Sequence, residues 1–168
     1  GSTYAFTIRD SFSGMAIAVT QRNRTLDSNY AALKFFQGAS SSTKPDIIVK
    51  SDAAPEIVGA VKELGWHSEP ALPNRWPHNA AHERWIGTYK SVVRAAMLQS
   101  GFPEKAWDLA VPYAAIALAV TQRAPILPSD RNAAGETLDT AQWKAKLTCW
   151  EVHHDGKAFT GPIQPFGR

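Results

Sequence analysis

A chain of 168 residues, 44% hydrophobic and 20% charged, suits one globular domain with its own core and leaves little room for two. A net charge of +3 at pH 7 is compatible with a nucleic-acid partner without requiring one. The single Cys149 excludes an internal disulfide framework and fits a reducing compartment, nuclear or cytoplasmic, and the longest apolar stretch, Leu109 to Val120, is too short to span a bilayer and is interrupted by Pro112.

No signal-peptide pattern opens the chain, and a start of Gly1-Ser2-Thr3 running straight into strand-like residues reads as a fragment of a longer protein. Tyr4 to Ile8 alternates as a half-buried strand does, Asp10 to Gly14 is a turn, and Met15 to Thr20 is a second strand, so a β-hairpin is expected. Leu26 to Phe36 carries apolar residues at helical spacing, with Gly38 to end it. A Ser-rich loop follows at residues 39–44. The β-branched run from Asp46 to Asp52 predicts a short strand, and Pro55 is placed at the first position of a helix running to Leu64 and closed by Gly65. Trp66-His67 opens another short strand, and a proline-rich loop spans residues 70–77. A long helix is expected from about Asn79 to Gln99, and a further one from Pro103 to about Arg123, kinked at Pro112. Beyond Ala124 the chain is rich in Pro, Asp and Gly and shows little periodicity. This order predicts a mixed α/β domain with a small sheet.

Two acidic residues stand out. Asp52 ends an apolar strand immediately before a helix, and functional groups in open α/β sheets gather at the carboxyl ends of strands. The competing reading makes Asp52 the N-cap of the helix that Pro55 begins. Glu83 lies in the first turn of the long helix. On a helical wheel Asn79, Gly87, Lys90 and Arg94 fall within roughly 40° of it. Trp85, Ile86, Tyr89, Val92, Val93, Ala96 and Met97 fall on the opposite arc, which is therefore the expected core face. A solvated face with ordinary charges is the plain alternative for the Glu83 stripe. His78 and His82, four apart and beside Glu83, invite a zinc reading, with Cys149, His153 and His154 as further ligands. The order is not that of the His-Glu-x-x-His metalloprotease pattern, and no paired cysteine spacing supports a structural zinc.

Several stretches resemble Copia-type retrotransposon integrases. Pro77-His78-Asn79-Ala80-Ala81-His82-Glu83-Arg84 is similar to the family's Gln-Asn-Gly-Val-Ala-Glu-Arg signature, and Ser51-Asp52-Ala53-Ala54-Pro55-Glu56 to its Ser-Asp-Asn-Gly-Gly-Glu. Tyr4 to Ser13 resembles the Tyr-Phe-Leu-Thr-Phe-Ile-Asp-Asp-Phe-Ser hairpin, and Gln122-Arg123-Ala124-Pro125 the Asn-Arg-x-Pro that ends a later helix. Cys149-Trp150-Glu151 through Gly156-Lys157 to Phe166-Gly167 is similar to a segment downstream of the family's core. None of these is specific alone; their order over nearly the whole chain is. The departures are that Ala53, Ala54 and Pro55 replace Asn-Gly-Gly, that His82 is inserted or Ala80 stands for Gly, and that the interval from Asp52 to Glu83 is short.

The resemblance implies a ribonuclease H-like α/β fold, with a mixed central sheet flanked by helices, whose first strand is missing here. Residues 1–125 would be the N-terminally truncated catalytic core and 126–168 a partly irregular extension, both from a Pol polyprotein. It implies a DDE site for DNA strand transfer with two Mg²⁺ or Mn²⁺ ions, in which Asp52 and Glu83 are two of three metal-binding carboxylates, and DNA as partner, with a homo-oligomer compatible with it. Hard oxygen ligands suit these ions. Asn79, Lys90 and Arg94 would then face the phosphates. The family's first catalytic Asp lies on the absent strand, and Asp10 matches a turn former instead. An inactive nucleic-acid-binding relic of the same fold is the alternative that this gap leaves open.

Overall fold

The computed structural model describes residues 1–38, 46–70, 80–162 and 164–167. Strands β1 (Tyr4–Arg9) and β2 (Ala16–Gln21) form an antiparallel hairpin in which Tyr4 lies opposite Gln21 and Arg9 opposite Ala16. Asp10 builds the turn. Its carboxylate accepts from the backbone N–H groups of Phe12 and Ser13 at 3.1 and 2.9 Å and from the Ser13 hydroxyl. Burial pushes this carboxyl up, but its bonds with His153, Ser13 and Phe12 more than offset that and hold it well below the usual carboxylate range. Gly14 has φ of +76°, and a Cβ there would stand 2.6 Å from Pro125 Cδ, so this position admits only glycine without rearrangement.

Helix α1 (Leu26–Gln37) starts at Thr25, whose hydroxyl accepts from the Ser28 N–H. Strand β3 (Ile48–Ser51), helix α2 (Pro55–Glu63) and strand β4 (His67–Pro70) make a β-α-β unit whose strands are parallel, Ile48 opposite His67. Among the described residues β1 pairs only with β2 and β3 only with β4. Two two-stranded sheets therefore stand where one mixed central sheet was expected. They share a helical layer nonetheless. Phe6 and Ile8 of β1, together with Ile47 and Val49, pack on one cluster with Leu33 of α1, Ala60 and Val61 of α2, and Trp66.

The other face of the hairpin carries α3 (Ala80–Ser100) and α4 (Trp107–Thr121). Strand residues alternate between faces, and Ala16 and Ala18 accordingly meet Trp85 and Tyr89 of α3 and Val111, Ala114, Ala115 and Leu118 of α4. Ile86, Val92 and Val93 pack against the same cluster. The Tyr89 hydroxyl donates to the Val111 carbonyl at 3.1 Å, beside Pro112. Burial of that phenol pushes its ionisation up. Two short helices, α5 (Asp139–Ala145) and α6 (Cys149–His153), lie in the stretch without visible periodicity. Helix α6 is fixed by a reciprocal cap, Thr148 to the Glu151 N–H and Glu151 to the Thr148 N–H. No helix among the described residues is long and apolar enough to cross a membrane.

Candidate active-site face

Asp52 follows the last residue of β3 and is exposed. The helix that follows is capped without it. The Ala54 carbonyl accepts the first helical N–H groups, from Ile57 at 3.0 Å and Val58 at 3.1 Å, Ala54 itself offers no side-chain cap, and Pro55 fills the first turn, where a missing N–H costs nothing. The N-cap reading of Asp52 therefore falls. Its backbone carbonyl accepts from the Ser51 hydroxyl at 2.8 Å, while its carboxylate has no hydrogen-bond or ion-pair partner among the described residues.

Glu83 sits half-buried in the first turn of α3, where the positive end of the helix dipole favours a carboxylate. Its neighbour His82 fixes the start of this helix against the hairpin. His82 Nε2 lies 3.1 Å from the Thr7 hydroxyl, and its ring stacks on Trp85 with centroids 5.8 Å apart. Burial pulls the His82 imidazole below its usual range; the nearby Arg9 adds to this and Glu83 opposes it. The neutral form is thereby favoured. His82 thus works as a packed hydrogen-bonding residue that brings Glu83 up to β1. The sequence also admits an insertion or a zinc ligand at His82; the signal for the packed role is its place three residues before the buried Trp85, on the same side of the helix. Arg9, at the end of β1, buries its Nε without a hydrogen-bond partner.

Lys90 and Arg94 are exposed on the outward side of α3, and neither is paired with a carboxylate among the described residues. Asn79 and His78 lie outside the described residues. Among those described, no group of three or more His, Cys, Asp or Glu side chains is placed to hold a metal ion. Asp52 and Glu83 have the donor chemistry for a hard cation, but two carboxylates do not make a two-metal site.

No protein-family model matches the chain, and no curated protein matches it in sequence. Its fold is shared with retroviral integrase catalytic cores, an RNase H-like α/β fold. The HTLV-2 integrase catalytic core domain, solved with magnesium in a trimeric form, superposes with a TM-score of 0.52 at 19% identity, over 84% of this chain and 82% of that one. A chain of the simian T-cell lymphotropic virus intasome gives 0.57 at 18% identity over 93% of this chain, which spans 49% of the intasome chain. The BIV integrase catalytic core gives 0.55 at 17% identity, over 94% and 95%.

Proposed function

We propose that the chain is the catalytic core of a Copia-type retrotransposon integrase, derived from a Pol polyprotein, and that it serves metal-dependent polynucleotidyl transfer to DNA. The observation that carries this reading is Asp52: an exposed acid at the carboxyl end of a parallel strand, in a fold shared with integrase cores, with no capping duty to explain it. Asp52 and Glu83 are two of three carboxylates for Mg²⁺ or Mn²⁺, which when bound activates an attacking oxygen and stabilises a leaving one. The third comes from a strand that joins β1 to β3 and merges the two small sheets into one. The shared cluster of Phe6, Ile8, Ile47 and Val49 over α1 and α2 supports this, because it already holds both sheets against one layer. Lys90 and Arg94, with Asn79, contact DNA phosphates and fix the position of the ends without reading sequence. The HTLV-2 core is described as trimeric and its simian counterpart within an intasome; by analogy this chain binds DNA as an oligomer.

The test is strand transfer with labelled donor-end DNA, target DNA and Mn²⁺. The 168-residue chain is expected to give no joined product, and a chain extended at its N-terminus by a strand carrying an Asp is expected to give product. Asp52→Asn or Glu83→Gln in the active form should each reduce joining by about 100-fold or more, since metal stabilisation is worth several kcal/mol. Product from the short chain, abolished by Asp10→Asn, would show that the third ligand is misplaced. An extended chain that binds DNA but joins nothing would favour the inactive relic.

DNA affinity supplies an independent check. It should be weak, indifferent to sequence and steeply salt-dependent. Replacing both Lys90 and Arg94 with Ala should flatten the slope of log affinity against log salt by up to about two units. An unchanged slope would remove this face from the interface.

A further inference from the structure

Beyond α6 the chain has no regular structure at residues 157–160, yet it stays on the fold. Phe159 sets its ring edge-on to Trp150 of α6, with centroids 5.0 Å apart and planes 82° apart. Phe166 then meets the corner between α3 and α4. Its ring is edge-on to Phe102, centroids 5.5 Å apart and planes 81° apart, and tilted on Tyr113 at 5.3 Å. Such pairs contribute beyond the area they bury. Gly167 follows with φ of +89°, so close to Ser100 that a Cβ would stand 2.6 Å from Ser100 Cβ and 3.1 Å from its Cα. Only glycine both takes that backbone conformation and lets the two main chains approach. The receiving side is fixed in advance: the Ser100 hydroxyl donates to the Met97 carbonyl at 2.9 Å and accepts from the Phe102 N–H at 3.2 Å. Phe102 stays 42% exposed, and Leu109, one turn before Tyr113 on α4, 59%. The contact therefore lies at the surface and can open without the core.

We propose that Phe166 and Gly167 are the latch of an autoinhibitory strap, which occupies in cis a recognition site on the α3–α4 corner for a phenylalanine followed by a glycine. Phe102 and Tyr113 receive the ring, and Ser100 receives the glycine main chain. The proposal goes beyond the DNA reading and does not depend on it, since none of these residues is a candidate metal ligand or phosphate contact. Opening the latch leaves α6 in place. That helix is held from its other side, where His153 Nδ1 lies 3.4 Å from the Ser13 hydroxyl and 3.9 Å from Asp10 Oδ2, and its ring lies against Phe36. The strap thus swings from α6, and its release uncovers the rings of Phe102 and Tyr113 for a second segment of the same kind.

Hydrogen exchange and a labelled synthetic peptide with the sequence of residues 157–168 test it together. Phe166→Ala removes the ring, and Gly167→Ala forbids the close approach while keeping the ring. In each variant, exchange at residues 100–106 and 157–162 should be about tenfold faster, the scale of two aromatic contacts, while α6 and the hairpin exchange as in wild type. Each variant should bind the peptide in trans, and wild type about tenfold more weakly, because its own segment holds the site. Adding Phe102→Ala to Phe166→Ala should abolish that binding. Wild-type exchange in both variants would overturn the strap. Faster exchange without peptide binding would overturn the recognition site, and equal peptide affinity in wild type and variants would overturn the block in cis. A Tm lowered by more than about 5 °C in either variant would place the latch in the core and overturn the proposal as well.

Discussion

Trp85→Ala is expected to destabilise the chain by about 4 kcal/mol, within the range for removing a buried aromatic. The indole is 6% exposed and lies between the hairpin and α4. It stacks on Tyr89, with centroids 4.9 Å apart and planes 10° apart, and on His82. Around it stand Ala16, Ala18, Ala114 and Ala115. Alanines have no rotamers with which to fill a hole, so little of the cavity would collapse, which puts the cost in the upper half of the range. The loss would also free His82, and with it the start of the helix that carries Glu83. Urea unfolding of the variant checks this. A loss below about 1 kcal/mol would mean that this aromatic arc does not form the core between α3 and α4.

Lys144→Met should cost about 3 kcal/mol, the low end for breaking a buried ion pair by removing one partner. The Lys144 side chain is only 1% exposed. Its ammonium lies 2.7 Å from Asp130 Oδ2 and 4.5 Å from the centre of the Phe12 ring. The same carboxylate oxygen accepts from the Leu127 N–H at 2.7 Å. Three separate stretches are thus clipped together: the hairpin turn, the segment after α4, and α5. The pair is shielded by direct contact close to the molecular surface, which argues for the smaller figure. The hydrogen bond from Lys144, then that from the Leu127 N–H, holds the Asp130 carboxyl below its usual value, against burial. A depressed folded value means that the stabilisation is present above the unfolded carboxyl range and is lost as pH falls through the folded value. Wild type and variant should therefore begin to converge in stability below about pH 4, the unfolded carboxyl range, and converge fully only once the pH has fallen below the depressed folded value, where Asp130 takes up a proton. The double change Lys144→Met with Asp130→Leu should recover much of the loss, since no buried charge is then left alone. A deficit in Lys144→Met that stays constant from neutral pH to pH 3 would show that the packing of the stem, and not the charge, carries the effect.

The elements legible in the sequence were those whose cause is local. Asp10 and Gly14 specify the hairpin turn, Gly38 ends α1, and Pro55 opens α2, because each acts on backbone within a few residues of itself. The core face of α3 was legible for the same reason. Its 3.6-residue period puts Trp85, Tyr89 and Ala96 on one buried arc and leaves Lys90 and Arg94 outside. At the candidate site the positions of Asp52 at a strand end and Glu83 in a first turn were readable, but not that Ala54 would relieve Asp52 of a capping role, nor that His82 would bind Thr7 across the fold. Helices α5 and α6, of 7 and 5 residues, are too short to show a period and exist through caps and tertiary contacts. Lys144 reads from sequence as a solvated lysine; only the arrival of Asp130 and Phe12 makes it the largest fully buried side chain among the described residues. The sequence by itself determined where the chain turns, which stretches become long helices, and which face of each is apolar, since these follow from φ/ψ preference and periodicity. Tertiary structure alone decided that β3 pairs in parallel with β4, that β1 stays in a separate small sheet, and which polar groups are buried, because those outcomes depend on partners far apart in the chain that only packing brings together.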